Sequence, residues 1–374
     1  MGFYAKSKVA TGHSAHSLHQ TKSNLLGLAD TMRVTSISVA MLSVATALAQ
    51  TPDTRQNVHG YLTRHGFDEA ALSKLEGGAV VARADVGQSN DREILVVAAV
   101  KIRVPRPQVT SYYGQMISYV DGQVTQAFGR FSSPPAIADV NTLAFDRNEV
   151  DQLKSCRPGD CDIRLGGAGL EALRTSIDWS AADYVERVNA FARKAAVDYV
   201  TAYQASGDAA LVTYNDRAEP VRLREQWRGI LANSTLFHDY SPELRAYLEQ
   251  YPKATLPGAK NIFYWAKESF GVGAPIVSLV HGIVYEPPSR RDRTIVVQKQ
   301  LYASHYFDGS LAIGTLLDTQ EAGRPATYLV YANRSRGDLL KGGLGGLKRN
   351  VASVQARRGA EETLGTIQRI LESQ

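Results

Sequence analysis

The stretch Thr294 to Thr315, TIVVQKQLYASHYFDGSLAIGT, is the longest run of strand-forming residues in the chain and carries its most unusual polar side chains. Read as an extended segment, alternation puts Ile295, Val297, Leu301, Ala303 and Phe307 on one face, with Lys299 and His305 among them. A buried lysine or histidine without a partner is costly, so that face must supply internal partners or a ligand. The run exceeds ordinary strand length, which predicts a turn, bulge or bend near Ser304 to Gly309.

Working outward, Ile262 to Glu268, Ile276 to Tyr285 and Ala326 to Asn333 also read as strands, joined to the central pair by loops rich in Pro, Gly and charge. On Ile276 to Tyr285 the same alternation sets His281 with Val277, Leu279 and Ile283. Upstream, Ala79 to Asp85 and Glu93 to Val104 are strands, the second apolar almost throughout and therefore buried on both faces. Phe67 to Leu75 reads as a short helix, and the stretch after Pro105 and Pro107 as irregular. Between about 148 and 252 the pattern is helical, with Asp183 to Tyr203, Leu223 to Leu231 and Leu244 to Tyr251 at helical spacing. Leu347 to Leu371 closes the chain as a long amphipathic helix, with Arg357 to Glu361 and Arg358 to Glu362 as i,i+4 pairs. The fold class expected is α+β: a curved antiparallel sheet packed on a long C-terminal helix, with a helical section between the early and late strands.

That order of elements resembles the helix-grip arrangement of START-like and polyketide-cyclase-like proteins, in which a curved antiparallel sheet wraps a C-terminal helix around an apolar cavity. The segments CRPGDC (156–161), QLYASHYFDGSL (300–311) and YLVYANRSRGDLLKGGLGGLKR (328–349) are also similar to a family of exported bacterial proteins. The first resemblance implies a cavity for a hydrophobic small molecule or lipid. The second implies export and brings no catalytic residue with it.

The first 49 residues are unlike the rest. Met32-Arg33, the apolar run Val34 to Ala45 and Ala47-Leu48-Ala49 have the layout of a secretory signal peptide cut before Gln50, so a periplasmic or secreted location is expected. Residues 1–31 read as an upstream extension. Its His13, His16 and His19 are metal-ligand types in a segment expected to be missing from the mature protein, so no metal site and no cofactor are assigned. The formal net charge of +5 falls to +2 once 1–49 is removed, and no concentrated cationic face for nucleic acid remains. The two cysteines, Cys156 and Cys161, flank a Pro-Gly turn and are expected to form a local disulfide in a single mature domain, 50–374.

The candidate ligand-binding residues are His281, Lys299 and His305, with Tyr264 and Tyr302 as lining side chains. The leading expectation is a carrier whose ligand these groups orient. The alternatives are an enzyme using His281 or His305 as acid or base, and an envelope interaction module without a pocket. Ser304, His305 and Asp308 have the residue types of a hydrolase triad, but neighbours on a strand point to opposite faces, and there is no G-x-S-x-G elbow. Gly167-Ala168-Gly169-Leu170-Glu171-Ala172 reads as a glycine-rich turn. Lys341 to Arg349 reads as a loop, with a hinge or a transient contact with anionic lipid as the functional options.

Overall fold

The alternating segments pair into one sheet with helices on both faces. The computed structural model describes residues 53–86, 93–116, 124–269, 273–337 and 345–373. The leader with its histidines and the Lys341–Leu344 part of the basic segment lie outside them. Helices α1 (Thr54–Arg64) and α2 (Glu69–Glu76) precede strands β1 (Val81–Val86) and β2 (Glu93–Ile102). Helix α3 (Arg106–Met116) and strand β3 (Thr125–Arg130) follow. Next come helices α4 (Arg147–Leu153), α5 (Gly167–Ser176) and α6 (Tyr184–Ser206), then the short ribbon β4 (Thr213–Tyr214) and β5 (Val221–Arg222). Helices α7 (Leu223–Ala232), α8 (Thr235–Tyr240) and α9 (Pro242–Gln250) lead into strands β6 (Ala259–Glu268), β7 (Ile276–Tyr285), β8 (Arg293–Ala303), β9 (Phe307–Glu321) and β10 (Arg324–Gly337). Helix α10 (Gly345–Glu372) closes the chain.

Local chemistry sets several of the helix ends. Asp68 accepts from the Ala71 amide at 2.8 Å to cap α2, and Asp146 with Glu149 forms a reciprocal capping box on α4. Helix α6 stops at Gly207, whose φ is +59° and where a Cβ would lie 1.9 Å from the Tyr251 carbonyl oxygen, so only glycine fits. Two sequence expectations change here. The stretch after Pro105 is helical, with Arg106 as first residue, and the Gly167 to Ala172 segment opens helix α5 instead of forming a turn.

The eight-stranded sheet runs β1-β2-β10-β9-β8-β7-β6-β3, antiparallel throughout, curved and open. Its centre is the β8–β9 pair of the opening stretch, and the expected break is there: the strands part at Ser304 to Tyr306, and Tyr306 takes a φ of +62°. Helices α1, α2 and α4 to α9 cover one face in two adjoining apolar clusters, one with Trp227, Ile230, Val297 and Val330, the other with Val188, Val200, Trp265 and Leu301. Helix α10 lies on the opposite face over β1 and β2, where Leu364, Ile367 and Leu371 are each 1 % exposed against Val96, Val100 and Leu329. Each such side chain contributes about 1.5–3 kcal/mol by leaving water. We call this second side the inner face. Among the described residues no helix is long and apolar enough to cross a membrane.

Candidate functional site

Alternation on β7, and on β8 as far as Leu301, holds as read, but it aims His281 and Lys299 away from α10 and into the helical layer; a bulge opposite Leu279 then breaks it, putting Tyr302 on that side as well and pairing Ala303 with Ser278. Lys299 is 0 % exposed; its ammonium pairs with Asp208 just after α6 and lies 5.0 Å from the Trp227 ring centre. Burial lowers its pKa, with Asp208 acting in the other direction. His281, its cross-strand partner, is also fully buried. Its Nε2 donates to Asn261 Oδ1 at 2.7 Å, its Nδ1 lies 3.3 Å from the Tyr203 hydroxyl, and its ring stacks on Phe263 at 4.6 Å. The ring is thus neutral and satisfied on both nitrogens, and burial pushes its pKa well below the usual histidine value.

His305 sits at the β8–β9 turn, 8 % exposed, with Nδ1 at 2.9 Å from Ser304 Oγ. Burial lowers its pKa to about 4. The Ser304 hydroxyl also accepts from the Val277 amide at 2.9 Å and is 0 % exposed, so it has no route to a substrate. Asp308 turns to Arg164 at 2.6 Å instead of to the imidazole, and the carboxylate that acts on His305 is that of Asp162. Tyr302 faces the helical layer as well, its hydroxyl donating to the Arg164 carbonyl at 2.8 Å. These four expected ligand contacts are therefore held by protein partners, and only Tyr264 of the five faces the α10 side.

The disulfide is formed and explains how this turn is held. Within its loop Gly159 and Cys161 donate backbone N–H groups to Asn215 and Asp216 at 2.7 and 3.0 Å, and the Arg164 amide reaches the Ser304 carbonyl at 2.8 Å. The ring is short, so replacing Cys156 and Cys161 together by serine is expected to cost no more than about 2 kcal/mol in urea unfolding. Loss of the folded state would contradict that.

The inner face beyond α10 has a different make-up, visible from the register. One row across the strands reads Val284, Val296, Gly314, Tyr331, Ala98. The next reads Ile262, Gly282, Gln298, Ala312, Asn333, Val96, and the third begins Tyr264, Val280, Gln300. Across β9 and β10 that third row continues as Ser310 and Ser335. The face therefore passes from branched apolar residues, through glycine and alanine, to amides and hydroxyls. Gln298, Gln300, Ser310, Asn333 and Ser335 all keep part of their surface accessible. Gln300 Nε2 donates to Ser278 Oγ at 3.0 Å, while its Oε1 is buried with no hydrogen-bond partner.

Tyr331 shows the character of this space. Its side chain retains accessible surface, yet desolvation is the largest influence on its phenol and pushes the pKa up to about 12. Glu268 adds to the same rise from β6, four strands away, as expected where the sheet curls inward.

The neutral side chains of this face carry no ionisable group that singles them out in the sequence. The usable signal was present: Gln298 and Gln300 alternate with Lys299 in a strand whose two faces are both covered, and Asn333 and Ser335 do the same in β10. No group of three or more His, Cys, Asp or Glu is placed to hold a metal ion among the described residues. The fold defines a class, an α+β protein with a curved, open antiparallel sheet, helices on both faces and a C-terminal helix. Comparison with family models, with curated proteins and with solved structures finds no match to the chain.

Proposed function

We propose that the protein is an exported carrier of a hydrophobic small molecule or lipid, with the ligand lying on the inner face of the sheet beside α10. The observation that carries this reading is the passage of that face from Val284 and Val296, through the row of Gly282, Gln298 and Ala312, to Gln300, with part of the surface of Gln298 and Gln300 accessible. Apolar walls with a few convergent polar groups are the usual make-up of a small-molecule site. The order in which β2 lies beside β10 and the chain steps back to β3, with α10 behind, supports the helix-grip likeness. In that likeness β1 is an added edge strand and α4 to α9 an insertion covering the outer face. Export rests on the leader-like sequence and on the disulfide. Catalysis by His281 or His305 has less support, because both rings are buried among protein partners.

The neutral fluorophore N-phenyl-1-naphthylamine tests the reading. It is expected to bind the mature protein with a blue-shifted, enhanced emission. Gly282→Leu should weaken that binding by about tenfold or more, since a 1.4 kcal/mol loss already gives that factor. A Cβ at Gly282 meets its nearest neighbours, the Ile262 oxygen and Tyr264 Cε1, at 3.4 and 3.5 Å, so the backbone tolerates it and the rest of the side chain extends over the inner face. Unchanged affinity in the variant, or no binding to the parent, would refute the assignment.

A further inference from the structure

We infer that the ligand carries an uncharged, hydrogen-bond-donating head group, an alcohol or an amide, in place of a carboxylate, phosphate or quaternary ammonium. The inference rests on the carrier reading and narrows it. Along the strands the inner face is apolar at the Val284 and Val296 row and polar at the Gln300 row, so an amphiphile has one favourable orientation, tail towards Val296 and head towards Gln300.

The described groups beside Gln300 on β9 and β10 are neutral, and the charged member of its row, Arg130, stands exposed on the edge strand β3. Ser310, Ser335 and Asn333 close a ring of mutual hydrogen bonds, with Ser310 Oγ to Ser335 Oγ at 2.8 Å, Ser335 Oγ to Asn333 Oδ1 at 2.6 Å and Asn333 Nδ2 to Ser310 Oγ at 3.2 Å. That ring is largely saturated and asks little of a ligand. Gln300 differs, because its amide nitrogen is used on Ser278 and its buried Oε1 has no partner. An orphaned acceptor of this kind is stabilised by a donor and is repelled by an anion.

The described ionisable groups on this face stand at its margins: Lys260 and Arg130 are exposed, Glu268 is half-buried, and Arg106 of α3 binds Thr294 and Asp318 at the end away from Gln300. An ionised carboxylate entering beside Gln300 would lose its water and meet no counter-charge among the described residues, a large cost. The negative charge of Glu268, felt as far as Tyr331, adds to it. A quaternary ammonium has no N–H to give to Oε1.

Displacement of N-phenyl-1-naphthylamine separates these chemistries with three ligands of one chain length, each below its micelle concentration: monodecanoylglycerol, decanoate and decyltrimethylammonium. The neutral glyceride is expected to displace the probe at a concentration at least about tenfold lower than either ion, a gap of about 1.4 kcal/mol. Gln300→Met keeps the side chain's length and removes the amide oxygen, and should bring the three within about threefold. Equal or better displacement by decanoate or decyltrimethylammonium overturns the head-group assignment and leaves the carrier reading standing. A parent protein that takes up no probe removes the carrier reading, and this inference with it.

Discussion

Asp208→Ala is expected to destabilise the protein by about 3–5 kcal/mol, measured by urea unfolding at neutral pH, because it removes the ion-pair partner of the buried Lys299 ammonium and leaves only the weaker attraction of Glu249. Lys299 is 0 % exposed on β8 beneath the helical layer, with Asp208 as its ion-pair partner and the rings of Trp227 and Tyr203 at 5.0 and 5.5 Å. Burial already depresses its pKa against the attraction of the carboxylate, so little reserve is left once that attraction is removed. The lysine escapes only by giving up its proton, which bounds the loss, since each pKa unit is worth about 1.4 kcal/mol. Replacing both partners, as Asp208→Ala with Lys299→Met, removes the charge together with its counter-charge and should restore most of the stability. A neutral Asp208→Ala would mean that the pair contributes nothing and that Lys299 is reserved for another purpose.

Acidification from pH 7 to pH 4 is expected to remove about 3 kcal/mol of stability through His305 alone, with His281 adding in the same direction. The folded-state pKa of His305 is about 4, against 6.5 for the free side chain. Below pH 6.5 the unfolded chain therefore binds a proton that the native state refuses until about pH 4, and linkage makes stability fall through that window by about 1.4 kcal/mol per unit. The pKa of His281 is likewise depressed, by complete burial and by the nearby Lys299 charge. His305→Asn with His281→Asn should flatten the dependence of the urea midpoint on pH between 7 and 5, even though the loss of stacking on Phe263 lowers stability at every pH. The smaller depression at His65 leaves a residual slope. A double variant with the parent slope would show that neither imidazole is held neutral by the fold.

Much of the architecture was legible from period alone. The late strands, the long helix α6, the closing helix α10 and the break at Ser304 to Tyr306 all follow from alternation, helical spacing and strand length. Helix α3 was not legible, because Pro107 and Gly114 mask a weakly amphipathic run, and helix α5 starts on glycines that read as a turn. The placement of His281 and Lys299 on one face was also legible, and the structure agrees. Which layer covers that face was not, since alternation fixes parity within a strand but says nothing about whether α6 or α10 lies above it. The helical section between the early and late strands supplies Asp208 and Tyr203, and so turns apparent ligand contacts into internal pairs. The neutral lane of Gln298, Gln300 and Asn333 lay between them in the sequence, uncharged and easily passed over.

The most direct test of the account asks which face of the sheet a ligand touches. Methyl NMR spectra recorded during titration with N-phenyl-1-naphthylamine read both faces of the same strands at once, because Val280, Val284 and Val296 point to the inner face while Leu279, Ile283 and Val297 point into the helical layer. Shifts are expected at the first three and at Ile262, with the second three unmoved. Shifts confined to Leu279, Ile283 and Val297 would contradict this, returning the site to His281 and Lys299.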